Sequence, residues 1–104
     1  MAIIVVATAF PIPEHREEAI AAFEAAEKKV HTEEDGCELY ALHEGPDGRL
    51  VMIEKYASDE AVAAHRAGGG LAALIEALKG KLSAPMDVQL LTPHPAGSPA
   101  KGAL

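Results

Sequence analysis

Three stretches of this chain are apolar without a break: Ile3-Ile4-Val5-Val6, Leu50-Val51-Met52-Ile53 and Leu90-Leu91. A β-strand points successive side chains to opposite sides, so a strand with one wet face alternates apolar and polar residues. These stretches do not alternate, and both faces of their sheet must therefore be covered. The segments between them supply one cover. From Glu14 to about Glu34, Ile20, Phe23, Ala26 and Val30 recur at spacings of three and four, with Glu17, Glu18, Glu24, Glu27, Lys28 and Lys29 mostly on the other side. That is the pattern of an amphipathic helix. Its acidic residues come early and its lysines late, which suits the helix dipole. Pro11 and Pro13 end the strand over residues 2–10, because neither can donate a ladder hydrogen bond. Asp35-Gly36 stops the helix.

Cys37 to His43 predicts a second strand and Leu50 to Tyr56 a third, joined through Gly45-Pro46-Asp47-Gly48 as a β-hairpin. Ser58 caps a short helix with Asp59 and Glu60 in its first turn, carrying Val62 and His65. Gly68-Gly69-Gly70 interrupts it. A second helical piece follows with Leu71, Leu74, Ile75, Leu78 and Leu82 on one face, and Met86 to Leu91 is the last strand. From Pro93 onward the chain is mainly Pro, Gly, Ala and Ser, so residues 1–92 read as the domain and 93–104 as a flexible Pro/Gly-rich tail.

The order strand, helix, strand, strand, helix, strand predicts an α+β, ferredoxin-like βαββαβ fold with a four-stranded antiparallel sheet. Right-handed crossovers put all the helices on one face. The other face would be an apolar patch larger than a soluble monomer tolerates. A second copy packed sheet to sheet covers it, so a homodimer through the sheet face is expected.

At 104 residues the chain is one domain long. Its net charge is −7 and its nine basic residues are scattered, which argues against a nucleic-acid partner. No apolar stretch approaches the roughly 20 residues that cross a bilayer, so no membrane partner is expected. The first residues lack the basic start of a signal peptide. Cys37 stands alone and cannot form an intrachain disulfide, which fits a cytoplasmic setting. No His-x-x-x-His or Cys-x-x-Cys spacing occurs, and no metal is expected.

Histidine titrates near neutral pH and comes first among candidates for chemistry. His15, His31, His43 and His94 fall at helix-surface, strand-end or tail positions and read as solvated. His65 is different: it sits on the apolar side of a short helix beside a glycine break. It is either a buried histidine bonded to a carbonyl or a pocket base able to accept a phenolic proton. Met52, Glu54 and Tyr56 share one face of the third strand. Glu54 there needs a partner, such as Lys55 of a second subunit or Arg66, or else a raised pKa in a pocket. Tyr56 reads as a packing residue or as a donor to a ligand oxygen. The glycine triplet is a hinge, or less simply an anion seat at a helix start. Cys37, between Asp35 and Glu38, is no nucleophile.

Asp35-Gly36-Cys37-Glu38-Leu39-Tyr40-Ala41-Leu42-His43-Glu44, then the turn, Val51-Met52-Ile53-Glu54-Lys55-Tyr56, and Asp59-Glu60-Ala61-Val62-Ala63-Ala64-His65 together resemble the antibiotic biosynthesis monooxygenase domain. The resemblance spans about residues 2–92. It implies a dimeric α+β barrel with a pocket between helices and sheet. It also implies oxidation of a phenolic, quinol or polyketide-like small molecule by O2 with no flavin or metal. On this reading His65, Tyr56 and Glu54 are catalytic, and Met52, Leu39, Phe23 and Leu74 line the substrate pocket. Oxygenases of the family carry Trp in the place of Tyr56 and Asn in the place of Met52, whereas this chain contains neither residue type. A non-catalytic ligand-binding module and an isomerase of the same fold therefore stand beside the oxygenase.

Overall fold

The computed structural model describes residues 2–104. In chain order it comprises β1 (Ile3–Ala9), a 3-10 turn (Pro13–His15), α1 (Arg16–Glu33), β2 (Cys37–Glu44), β3 (Leu50–Tyr56), α2 (Asp59–Ala67), α3 (Gly69–Leu78) and β4 (Asp87–Leu91). The strands form one antiparallel sheet in the order β2-β3-β1-β4. This is the predicted βαββαβ arrangement, with the chain's first and third strands at the centre.

Local chemistry accounts for the element boundaries. The hairpin between β2 and β3 closes at Gly48, whose φ of 89° is a left-handed conformation that glycine adopts without steric cost. Ser58 caps α2 through its side chain, which accepts from the Ala61 N–H at 3.2 Å. The break between α2 and α3 is narrower than the glycine triplet: Gly68 alone is extended, and Gly69 and Gly70 already belong to α3. Leu71, Leu74 and Leu78 turn toward the sheet and α1. Ile75 was expected on that row but is 52% exposed. The leucines at spacings of three and four fill the available contact, leaving Ile75 at its margin.

Alternation along β3 divides the molecule. Leu50, Met52, Glu54 and Tyr56 are buried on the helix side, while Val51, Ile53 and Lys55 lie on the outer side and are partly exposed. The main core joins Phe23, Val30, Leu50, Met52 and Leu74 under the helices, and a smaller cluster joins Val5, Tyr56 and Val62. On β2 the register shifts between Cys37 and Leu39, and this bulge sets Tyr40 opposite Glu54 on the helix side.

The two edges of the sheet differ. The β2 edge is closed by α1: the His31 Nε2–H donates to the Tyr40 carbonyl at 2.8 Å, and the Leu42 N–H donates to Glu27 Oε2 at 3.3 Å. Every residue of β4 is exposed. The tail from residue 93 contains no helix or strand; it turns at Ser98, and its last carbonyl, on Leu104, accepts from Lys55 Nζ at 2.7 Å. Among the described residues no helix is long and apolar enough to cross a membrane.

Candidate active site

Between the sheet and the helices lies a cavity of about 110 Å³. Its floor is Val5 and Ala7 of β1, Met52 of β3 and Tyr40 of β2; Phe23, Leu71 and Leu74 form its roof. Met86, Val88 and Leu90 line the side toward β4. Val88 and Leu90 pair with Ala7 and Val5, so they face the helix side, yet they are 51% and 49% exposed. The cavity therefore opens toward β4, where no helix covers the sheet.

Polar groups gather at the opposite end. Glu54, Tyr56 and His65 line the cavity there, and all three are buried. The Tyr56 hydroxyl donates to Glu54 Oε1 at 2.6 Å, and His65 Nε2 lies 3.8 Å from the same oxygen. The other imidazole nitrogen, Nδ1, lies 2.7 Å from Glu34 Oε1. With Glu34 as a carboxylate, which only accepts, the Nδ1 atom is the donor of this pair. A neutral imidazole then has a bare Nε2 lone pair on the pocket side, which is the form of a general base. The imidazole is held between two rings, with centroids 5.4 Å from Tyr40 and 5.2 Å from Tyr56.

Burial sets the electrostatics. It raises the Glu54 carboxyl above the usual carboxylate range, opposed by the Tyr56 hydrogen bond and by His65. Burial first, and Glu54 second, also raise the phenols of Tyr56 and Tyr40, so both remain neutral donors. The Cys37 thiol is pushed up to about 11, chiefly by burial, and is no thiolate near neutral pH.

The structure brings together most of the expected site. His65, Tyr56, Glu54, Met52, Phe23 and Leu74 all line the cavity. Leu39 does not. The bulge before it turns Leu39 to the outer face opposite Lys55, and Tyr40 takes the inward place. Within the chain Glu54 is hydrogen-bonded by Tyr56, with His65 Nε2 3.8 Å away, and it makes no ion pair with Arg66. The Tyr56 hydroxyl is spent on Glu54 and is not free to hold a ligand oxygen in this arrangement. Glu34 was missed altogether. In sequence it is one of three consecutive acids, Glu33-Glu34-Asp35, and nothing there separates it from a solvated helix end.

The fold and this site define a ferredoxin-like α+β domain that encloses an apolar pocket with a histidine–carboxylate end. The family model for antibiotic biosynthesis monooxygenase matches residues 2–77. The chain belongs to the antibiotic biosynthesis monooxygenase family. It is similar to Rv0793 of Mycobacterium tuberculosis, with 30% identity and a TM-score of 0.86 over 94% of this chain and 100% of that one. It is also similar to a proposed antibiotic biosynthesis monooxygenase of Caulobacter crescentus, with 27% identity and a TM-score of 0.82 over 86% and 87% of the two chains. A conserved protein of Methanosarcina mazei, 19% identical with a TM-score of 0.80 over 88% and 91%, shares the fold. No curated protein matches the chain in sequence.

Proposed function

We propose that the protein is a cofactor-independent monooxygenase that oxidises a phenolic or quinol-like small molecule with O2. One observation carries this reading: His65 lines an apolar cavity while a carboxylate, 2.7 Å from its Nδ1, holds the ring from behind. In the proposed reaction Nε2 takes the phenolic proton of the substrate. The resulting anion passes one electron to O2, giving superoxide and a substrate radical, and the two combine at carbon. Breaking the O–O bond leaves one oxygen atom on the substrate and releases the other as water. For a hydroquinone the sum is hydroquinone + O2 → hydroxyquinone + H2O, in which the substrate loses the four electrons that O2 gains. The apolar walls suit a flat aromatic body, with its hydroxyl at the Glu54–His65 end and entry from the β4 side.

The second reading is a module that binds the same ligands without oxidising them. It is favoured by Met52 and Tyr56 standing where oxygenases of the family carry Asn and Trp. Oxygen uptake by the purified protein, measured over a panel of quinols and anthrone-like phenols, separates the two. His65→Ala is expected to reduce uptake about 10²–10⁴-fold with ligand binding retained. Saturable binding without uptake would replace the oxygenase by the binding module, and product formed without oxygen would replace it by an isomerase.

We infer as well that a second copy covers the outer face of the sheet. Val6, Val51, Ile53, Leu39 and Ala41 lie there half-buried, and no helix packs on that side. A second copy related by a two-fold axis would set this group of apolar side chains against its own equivalent. A cytoplasmic setting suits a lone thiol that burial keeps protonated.

A further inference from the structure

Gly68 and Gly70 at the α2–α3 junction lie against the carboxylate of Glu34. A Cβ added to Gly68 would fall 3.2 Å from Glu34 Oε2, and one added to Gly70 would fall 3.7 Å from it. Any side chain at Gly68 would also press on the Ala64 and His65 carbonyls, at 3.2 and 3.3 Å. Helix α3 begins at this point, with Gly68 as an N-cap that offers no side-chain hydrogen bond and with no acidic residue of its own in the first turn. Helix amino termini carry partial positive charge and favour a nearby anion. The acid that α3 lacks thus arrives from the end of α1. One oxygen of Glu34 rests against the start of α3, and the other is 2.7 Å from His65 Nδ1.

We propose that Glu34 is the positioning residue of the His65 base, and that Gly68 and Gly70 leave the room in which its carboxylate is seated. This rests on the oxygenase reading only for its catalytic consequence. Fixed in this way, Glu34 selects the Nδ1–H tautomer, aims Nε2 into the cavity and stabilises the imidazolium formed when Nε2 takes a proton. Its side chain is 12% exposed and that of His65 is 8% exposed, so water does little to screen the pair. Glu54 and Tyr56 from β3 and Tyr40 from β2 also stand against the imidazole, and Arg66 of α2 lines the same cavity. Lys29 of α1 lies beyond Gly69 and is paired with Glu33.

The test is nitrogen-15 NMR of the imidazole, with His65→Gln assigning its signals. The wild-type ring is expected as the Nδ1–H tautomer when neutral. Glu34→Gln should lower the pH midpoint of its titration by about one unit or more, because the neutral amide no longer stabilises the imidazolium. Gly68→Ala keeps every charge but crowds Oε2, and should move the midpoint the same way by a smaller amount, so the question remains answerable if Glu34→Gln does not fold. In turnover, Glu34→Gln should lower kcat about 10–100-fold with KM little changed, and shift the acid limb of the pH profile downward. A midpoint unmoved in both variants would overturn the proposal. A shifted midpoint in a protein that consumes no oxygen would uphold Glu34 and reject the oxygenase instead.

Discussion

The two faces of β3 invert the usual rule. Its helix-facing side buries a carboxylate, Glu54, and a phenol, Tyr56, together with Leu50 and Met52, whereas its outer side offers Val51 and Ile53 to partial exposure. Leaving Glu54 buried is tolerable because Tyr56 donates to it at 2.6 Å. Among the described residues no buried side-chain nitrogen or oxygen lacks a hydrogen-bond partner. Polar atoms have thus been brought inside and partnered where chemistry is proposed, and apolar surface has been left outside where a second copy is proposed. The strand teaches that burial and function are arranged by face, not by element.

The largest effect that tests this contrast is on the inner face. His65→Ala should reduce turnover about 10²–10⁴-fold while leaving the oligomeric state unchanged, as read by light scattering. On the outer face, Ile53→Glu should do the reverse. A carboxylate in the centre of a sheet-to-sheet interface should weaken the dimer by a factor of about 100 or more in Kd, or about 3 kcal/mol. Sedimentation would show monomers with ligand binding intact. A wild-type monomer, or a dimer indifferent to Ile53→Glu, would remove the outer half of the comparison.

A smaller effect concerns Glu54 itself. Burial raises its pKa in the folded chain above the ordinary value of 4.5, so the folded state binds this proton more tightly than the unfolded state does. Its contribution to stability is fully present below pH 4.5 and is lost as pH rises through the raised folded value. Glu54→Gln cannot ionise. Urea midpoints measured from about pH 5 to about pH 8 should fall less steeply in the variant than in the wild type. Equal slopes would mean that Glu54 is not held as described. The smallest effect is at the closed edge, where His31→Ala should cost about 1 kcal/mol by freeing the Tyr40 carbonyl, with oxygen uptake unchanged.

Much of the fold was legible because its signals are local. The limits of β3, the Ser58 cap and the turn before Arg49 follow from alternation, a hydroxyl and a glycine. The bulge on β2 has no such signal. One extra residue exchanges the faces of Leu39 and Tyr40, and the sequence around Glu38 looks like an ordinary strand. The site divided in the same way. Glu54 stood out as a charge in an apolar strand and His65 as a histidine on an apolar helix face. Glu34 did not, because its burial depends on α2 and on the glycines 34–36 residues further along, which only the folded chain brings to it.

The central claim is that this pocket places an oxygen atom from O2 on its substrate. The direct measurement is turnover of the best quinol from the panel under ¹⁸O₂, with mass analysis of the product. The expected product carries one ¹⁸O atom and forms only when oxygen is present and His65 is intact. Unlabelled product, or product formed equally well without oxygen, would contradict it.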